Sequence, residues 1–219
     1  MKKIPIYLFV LISILACGND EDISMYNDDS ELSSLTMSEV LSSVKFVPDD
    51  SIGYVPEGGL TLFSNNSFKR YIQGYGWENV GSYEIFTDGT LAKEDLFKGV
   101  DGGGPSHYYF GEGQMREFVA TTAYRGTFIY DDEAYQYAEE QRNCVFALYE
   151  EGPYKIFPLF HILYYNDETK EMAVLRKGAR AADGPATVFY LVQFYQRMSE
   201  ERLEEIRQQY CHNVKDNDR

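Results

Sequence analysis

Residues 154–177 read YKIFPLFHILYYNDETKEMAVLRK, which is two aromatic and β-branched runs separated by Asn166-Asp167. Such runs, interrupted by Asn, Asp or Gly, are typical of β-strands joined by a tight turn. The segment therefore predicts an antiparallel hairpin, and similar runs with Gly, Asp and Asn turns recur along the chain. The predicted strands are residues 59–64, 67–75, 81–86, 90–97, 106–111, 115–124, 126–131, 134–139, 143–150, 154–165, 171–177 and 186–198. Many short strands with this turn chemistry favour an antiparallel β-barrel or β-sandwich.

Two short helices flank the predicted strands. Thr36 and Glu39 have the spacing of a capping box, which predicts a helix that begins at Met37 and ends near Phe46. Ser199 is placed to cap a second helix, from Glu200 to Tyr210. Its apolar stripe, formed by Leu203, Ile206 and Tyr210, is suited to packing on the sheet or to docking on a partner, with packing favoured.

The N-terminus has the features of an export signal. Two lysines precede an apolar run from Ile4 to Leu15, too short to span a membrane. Ile14-Leu15-Ala16-Cys17 closes this run and resembles the bacterial lipobox. The resemblance implies cleavage after Ala16 and a covalent lipid, such as palmitate, on Cys17.

The chain is therefore divided into four parts by sequence. Residues 1–16 are predicted to be a lipoprotein signal peptide, and residues 17–34 the lipidated cysteine with a disordered acidic linker. Residues 35–211 are predicted to form a single β-domain with its C-terminal helix, and residues 212–219 a polar tail. The acidic linker resembles the surface-export signal of Bacteroides-type lipoproteins, and a plain acidic spacer is the equal alternative. The lipobox implies a lipid anchor in the outer membrane, and the export signal would in addition imply exposure at the cell surface; the periplasmic and outer faces both remain open.

The charge of the chain limits its partners. It has 20 basic and 35 acidic residues, a net charge of −15. Removing Lys2 and Lys3 with the signal leaves 18 against 35, a net charge of −17. Such an acidic protein is a poor ligand for phosphate backbones, which excludes nucleic acid as a partner. The predicted contact with the membrane is through the lipid anchor.

The residues with catalytic or metal-binding chemistry form no recognisable set. The three histidines, His107, His161 and His212, lack metal-ligand spacing, and no Gly-x-Ser-x-Gly motif is present. The sequence predicts a protein that is not an enzyme, with no metal and no cofactor beyond the lipid. His161 is expected to be a satisfied core histidine. For Cys144 and Cys211, a disulfide and a buried free Cys144 both remain open.

Aromatic residues are the candidate ligand contacts. Tyr108 with Phe110, Phe128 with Tyr130, and Tyr135 with Tyr137 alternate along predicted strands, so each pair lies on one face. Aromatic side chains at a barrel mouth could stack on sugars or enclose an apolar ligand, although core packing must account for most of them. The candidates for ligand binding are Tyr108, Phe110, Tyr130, Tyr135 and Tyr137.

Two motifs resemble those of Bacteroides-type lipocalin-like lipoproteins. One is GSYEIFTDGTL, residues 81–91, a strand followed by an Asp-Gly-Thr turn; the other is RGTFIYDD, residues 125–132. The resemblance covers residues 36–198, and it implies an antiparallel barrel, an inward-facing Phe128 and ligand binding in general. The family's Gly-x-Trp in the first strand is missing, and Trp77 or Lys45-Phe46 are its weak substitutes.

Two functions follow as hypotheses. The leading one is a cell-envelope lipoprotein that binds a small apolar or glycan-like ligand and catalyses no reaction on it. The alternative is a structural subunit of an outer-membrane assembly that docks on an envelope protein through a sheet face or the C-terminal helix. A cavity favours the first hypothesis, and an exposed apolar patch favours the second.

Overall fold

A computed structural model describes residues 35–98, 104–119, 122–130, 142–150, 156–180 and 187–210. These residues form ten strands, two α-helices and one short helical turn that continues into a π-helix. In chain order they are α1 Met37–Ser43, β1 Phe46–Asp49, β2 Gly53–Pro56, α2 Asn65–Ser67 with the π-helix Phe68–Ile72, β3 Gly76–Glu84, β4 His107–Phe110, β5 Gln114–Val119, β6 Thr122–Tyr130, β7 Cys144–Tyr149, β8 Phe157–Asn166, β9 Glu171–Arg180, β10 Thr187–Arg197 and α3 Glu200–Tyr210.

Strands β3 to β10 form a closed antiparallel barrel of the predicted lipocalin-like architecture. Each strand pairs with the next along the chain, and β10 pairs with β3 to close the sheet. The hairpin predicted at Asn166-Asp167 is confirmed: the Asn166 side-chain oxygen accepts hydrogen bonds from the backbone amides of Glu168 and Thr169. Closure pairs every barrel strand with a neighbour on each side over at least part of its length, and eight strands enclose an interior just wide enough for side chains.

The Gly-Thr-aromatic motif lies on β6 and points inward. Phe128 packs against the interior cluster, its ring centroid 5.3 Å from those of Phe68 and Phe110. The predicted inward orientation of Phe128 is confirmed. Gly126 lies where the backbone of β7 comes close, and a Cβ there would collide with the carbonyl oxygen of Leu148. Trp77 lies on β3, the first barrel strand, and is fully buried.

The strands predicted at residues 59–64 and 67–75 are wrong. Residues 61–64 have no regular secondary structure, and residues 65–72 are helical. The Ser64 side chain caps this turn by accepting from the amide of Ser67. Phe68, Tyr71 and Ile72 have helical spacing and all three are buried, because this segment closes one end of the barrel. The Trp77 indole donates to the Ile72 carbonyl at 3.1 Å and ties the segment to β3.

Two further strand predictions are corrected. Residues 90–97 form turns beside the end of β3, with only an isolated bridge between Ile85 and Leu91. Residues 115–124 are not one strand, because Val119 of β5 pairs antiparallel with Thr122 of β6. The predicted strand at 134–139 lies outside the described residues. The sequence also missed the β1–β2 hairpin.

The two helices cover the outside of the barrel. The Thr36–Glu39 capping box is confirmed, although α1 ends at Ser43 rather than near Phe46. Helix α1 and the β1–β2 hairpin cover the apolar outer face of β8, β9 and β10. Helix α3 begins after the Ser199 cap and packs Leu203 and Ile206 against Phe118 of β5. The apolar stripe of α3 is therefore used in packing on the barrel.

No helix within the described ranges is both long and apolar enough to cross a bilayer.

Candidate functional site

The barrel interior has two unlike halves. The half nearest the π-helix is filled by aromatic and aliphatic side chains, and Phe110 and Tyr130 are among them. Tyr130 stacks on Phe68 with the ring centroids 4.4 Å apart, and its hydroxyl donates to the Phe63 carbonyl. This half is a packed core. The other half carries polar and charged side chains.

Glu117 is the centre of this polar half. It lies on the inward face of β5 and is only 6 % exposed. Its carboxylate accepts hydrogen bonds from the hydroxyls of Tyr108 at 2.9 Å, Ser106 and Tyr149. Three hydroxyl donors hold the carboxylate in a fixed position, as a buried charge requires.

Arg176 enters the same network from β9. Its Nη1 donates to the Tyr108 hydroxyl at 3.1 Å, while its Nη2 lies 3.8 Å from Glu117 Oε1, outside hydrogen-bond distance. The Tyr108 hydroxyl thus accepts from the guanidinium and donates to the carboxylate. The Arg176 side chain keeps 29 % of its surface exposed. One end of the network is therefore buried and the other reaches solvent.

A second polar group lies on β3 and β10, where the Tyr195 ring contacts the Tyr108 ring at a centroid distance of 5.8 Å. Gln193 donates to the Ser82 hydroxyl at 3.1 Å and accepts from the Tyr195 hydroxyl at 3.2 Å. The Asn79 side-chain oxygen accepts from Ser82, but among the described residues nothing accepts a hydrogen bond from its buried amide nitrogen.

Burial keeps the phenols of the network protonated. It raises the pKa of Tyr108 well above its ordinary value, and the Arg176 charge only partly opposes this. Burial, and secondly the Glu117 charge, raises the pKa of Tyr149. Burial also raises the pKa of Tyr195. These hydroxyls therefore act as hydrogen-bond donors at neutral pH.

A window in the barrel wall exposes Arg176. The pairing of β8 with β9 stops at His161 and Leu175, so residues 157–160 pair only with β7 and residues 176–180 only with β10. The cleft at this window has a volume of about 640 Å³. It is lined by residues 49–53 of the β1–β2 hairpin, residues 157–161 of β8, residues 175–177 of β9, and Tyr190.

Aromatic rings lead from solvent to the network. Phe157, in the wall of the window, stacks on Tyr149 with ring centroids 5.1 Å apart and an interplanar angle of 20°. Tyr124 contacts Tyr149 edge to face at 5.7 Å and is 49 % exposed. Of these three rings, Phe157 lines the cleft and Tyr124 is the most exposed.

Of the ligand-binding candidates predicted from sequence that the structure describes, only one lies in the polar half of the barrel. Tyr108 is part of the polar network, whereas Phe110 and Tyr130 lie in the packed half. Tyr135, Tyr137 and Cys17 lie outside the described residues.

Glu117 and Arg176, the two charged members of the network, are not among the residues predicted from the sequence. Met172, Val174 and Arg176 alternate along β9, and Met115 and Glu117 along β5, so strand alternation places both charges on the inward face. A charged residue at an inward position of a predicted strand was the signal that could have found them.

Cys144 and His161 lie on the outer face of the barrel rather than in this network. Cys144 is a buried free thiol beside Phe146, and burial raises its pKa. His161 is buried and its Nδ1 donates to the Arg142 carbonyl at 2.8 Å, so the prediction of a satisfied core histidine is confirmed. Within the described ranges no three His, Cys, Asp or Glu residues come together as a metal site.

The fold and the site define a closed eight-stranded antiparallel barrel with a charged interior network that reaches a cleft in its wall. No known protein family model, curated protein or solved structure matches this chain. The function is therefore inferred from the geometry of the site.

Proposed function

We propose that the protein is a lipid-anchored binding protein of the cell envelope that holds a hydroxyl-rich, ring-bearing ligand, such as a glycan, at the β8–β9 window. The observation that supports this most strongly is the exposure of Arg176 at the window while it is hydrogen-bonded to the buried Tyr108–Glu117 pair. The network has donors and acceptors in fixed positions, and the adjacent Phe157 ring lines the cleft, where it can stack on a ligand ring.

The charges of the site favour a hydroxylated ligand over an apolar one. An apolar ligand in the window would remove the exposed part of Arg176 from water and give it no acceptor in return. A sugar hydroxyl can accept from the guanidinium, so binding it does not leave the charge unpaired. The binding role is non-enzymatic in this proposal, with the lipid on Cys17 as the attached group.

The lipid anchor is proposed from the sequence of residues 1–17. A lipid on Cys17, followed by the acidic linker of residues 18–34, would hold the barrel near the outer membrane. More than one acyl chain gives stable anchoring, since each buried methylene contributes about 0.8 kcal/mol.

Palmitate labelling of cells tests the anchor. We expect the wild-type chain to incorporate label and to fractionate with membranes, and Cys17→Ala to do neither. Cys144→Ala is the matched control, because it also removes one thiol and should label as the wild type does. Equal labelling of wild type and Cys17→Ala would exclude the lipobox.

A panel of immobilised oligosaccharides tests the binding role. We expect the purified full-length protein to bind at least one glycan, and Phe157→Leu to bind it about tenfold more weakly, because it loses the stacking face. Phe86→Leu is the control, since Phe86 is exposed and lies outside the cleft. Absence of binding across the panel would remove the proposed function.

The alternative, a docking subunit of an outer-membrane assembly, has less support. It requires a free apolar helix or sheet face. The apolar stripe of α3 packs on β5, and α1 with the β1–β2 hairpin covers the apolar outer face of β8 to β10.

A further inference from the structure

We infer that Arg176 is the specificity-determining residue of the window, and that it selects ligands that carry a carboxylate, as an acidic sugar does. This inference rests on the proposed function, because it names the ligand class of the same site. Arg176 lies at the junction of the buried network and the cleft, and no other cationic side chain is hydrogen-bonded to the Glu117 cluster among the described residues.

The guanidinium has unused hydrogen-bonding capacity. An arginine has five N–H donors, and among the described residues only the Tyr108 hydroxyl accepts from Arg176. Glu117 does not form a fork with it, because its oxygens are taken by the hydroxyls of Ser106, Tyr108 and Tyr149. Arg176 is among the residues that line the cleft, and its side chain as a whole keeps 29 % of its surface exposed. A planar fork of this kind matches a carboxylate, which binds it in a bidentate manner.

The surrounding network holds the guanidinium in place before a ligand arrives. The Tyr108 hydroxyl fixes Nη1, and Tyr108 is itself fixed because it donates to Glu117. Tyr108 is fully buried and Glu117 nearly so, which leaves both little freedom to move. A pre-positioned donor loses less conformational entropy on binding than a mobile surface arginine.

Glu117, 3.8 Å from Arg176 Nη2, is the charge that most opposes a ligand carboxylate, and the test below measures the preference that remains beside it. The charges at the rim of the cleft add little to this opposition. Asp49 lines the rim, but its Oδ1 accepts from the Ser51 amide and hydroxyl and from the Ile52 amide, which turn the carboxylate toward its own turn. Asp50 and Lys177 are opposite charges on the same rim. His161 is buried and its pKa is lowered by burial, so it adds no charge at neutral pH. The large negative charge of the whole chain is screened beyond about 8 Å at physiological salt.

The test uses pairs of glycans that differ only in charge. Oligogalacturonates and their methyl esters, and glucuronate-containing oligosaccharides and their methyl esters, are titrated into the full-length protein. We expect each acid that binds to bind about tenfold or more tightly than its ester, and this preference to fall as salt is raised.

Variants assign the preference to Arg176. Arg176→Gln should bind acid and ester equally, and Arg176→Lys should keep part of the preference, because a charge without the planar fork remains. Arg116→Gln is the control: it removes an equal charge from β5, outside the cleft, and should leave the preference unchanged. Thermal melts of each variant establish that it is folded. The salt dependence of wild-type binding tests the inference even if a variant does not fold.

The outcomes separate this inference from the proposed function. If neutral glycans and esters bind as well as acids, or if Arg176→Gln keeps the preference, Arg176 does not select a carboxylate, and the general binding role stands. If no glycan of either kind binds, the proposed function fails and the inference fails with it.

Discussion

Phe128 illustrates how a single inward position contributes to stability. Its ring packs on Phe68 and Phe110 of the packed core and is half-buried. We expect Phe128→Ala to lower the free energy of unfolding by about 3 kcal/mol, from lost transfer energy and the cavity left behind. Chemical denaturation measures this. Phe86→Ala, at a 47 % exposed position, should cost much less. Equal losses in the two variants would place Phe128 outside the core.

His161 gives the barrel a pH-dependent stability. Burial lowers its pKa, with the hydrogen bond to the Arg142 carbonyl acting in the opposite direction. The unfolded chain, where the histidine titrates near pH 6.5, therefore binds more protons than the folded chain below that pH. The contribution of His161 to stability is complete above about pH 7 and is lost as pH falls toward its lowered pKa.

We expect the melting temperature of the wild type to fall between pH 7.5 and pH 5.5, and His161→Asn to reduce that fall, because an asparagine amide can still donate to the Arg142 carbonyl but does not titrate. Asp49 and Glu78 have carboxylates with lowered pKa values, and their protonation lowers the stability only below pH 5.5, outside the range of this measurement. His107 is the other buried histidine, and burial lowers its pKa too, so part of the effect should remain. If the melting temperature of His161→Asn fell as much as that of the wild type, the pH dependence of stability would not come from His161.

Among the elements, the β1–β2 hairpin depends on one glycine. Gly53 has a φ of +100°, and a Cβ there would collide with the Tyr190 ring. Gly59 has a φ of +88° with open space around it, so Gly59→Ala tests the backbone strain alone. We expect Gly59→Ala to cost about 1 kcal/mol and Gly53→Ala about 2 to 4 kcal/mol, because the second adds overpacking. Thermal and chemical denaturation measure both. Equal costs would show that the hairpin tip moves away from Tyr190 freely.

At the scale of the whole molecule, α1 is part of the folded unit. The Met37 amide donates to Glu171 of β9 at 3.2 Å, and Val40 is buried against the barrel. A chain that begins at Ser34 should therefore melt at the same temperature as one that begins at Cys17, while a chain that begins at Lys45 should melt lower, because it uncovers the apolar face under α1. Calorimetry of the three chains is the measurement. A lower melting temperature on removal of residues 17–33 would assign them a part in the fold.

Local signals in the sequence determined a large part of this fold. The alternation and composition of β4 and β7 to β10, the Asn166 turn, the Thr36–Glu39 capping box and the Ser199 cap all depend on neighbours within a few residues, so they can be predicted from sequence. The inward orientation of Phe128 follows from the same alternation.

Only the tertiary structure decided the features that depend on contacts between distant parts of the chain. Residues 67–72 have the composition of a strand, yet they are helical because their buried face closes one end of the barrel beneath Trp77. Glu117 and Arg176 look like ordinary surface charges in sequence, and they meet in one network because closure of the barrel brings β5 and β9 to face each other across its interior. The window that exposes Arg176 exists because the pairing of β8 with β9 ends at His161, a register that local sequence does not encode.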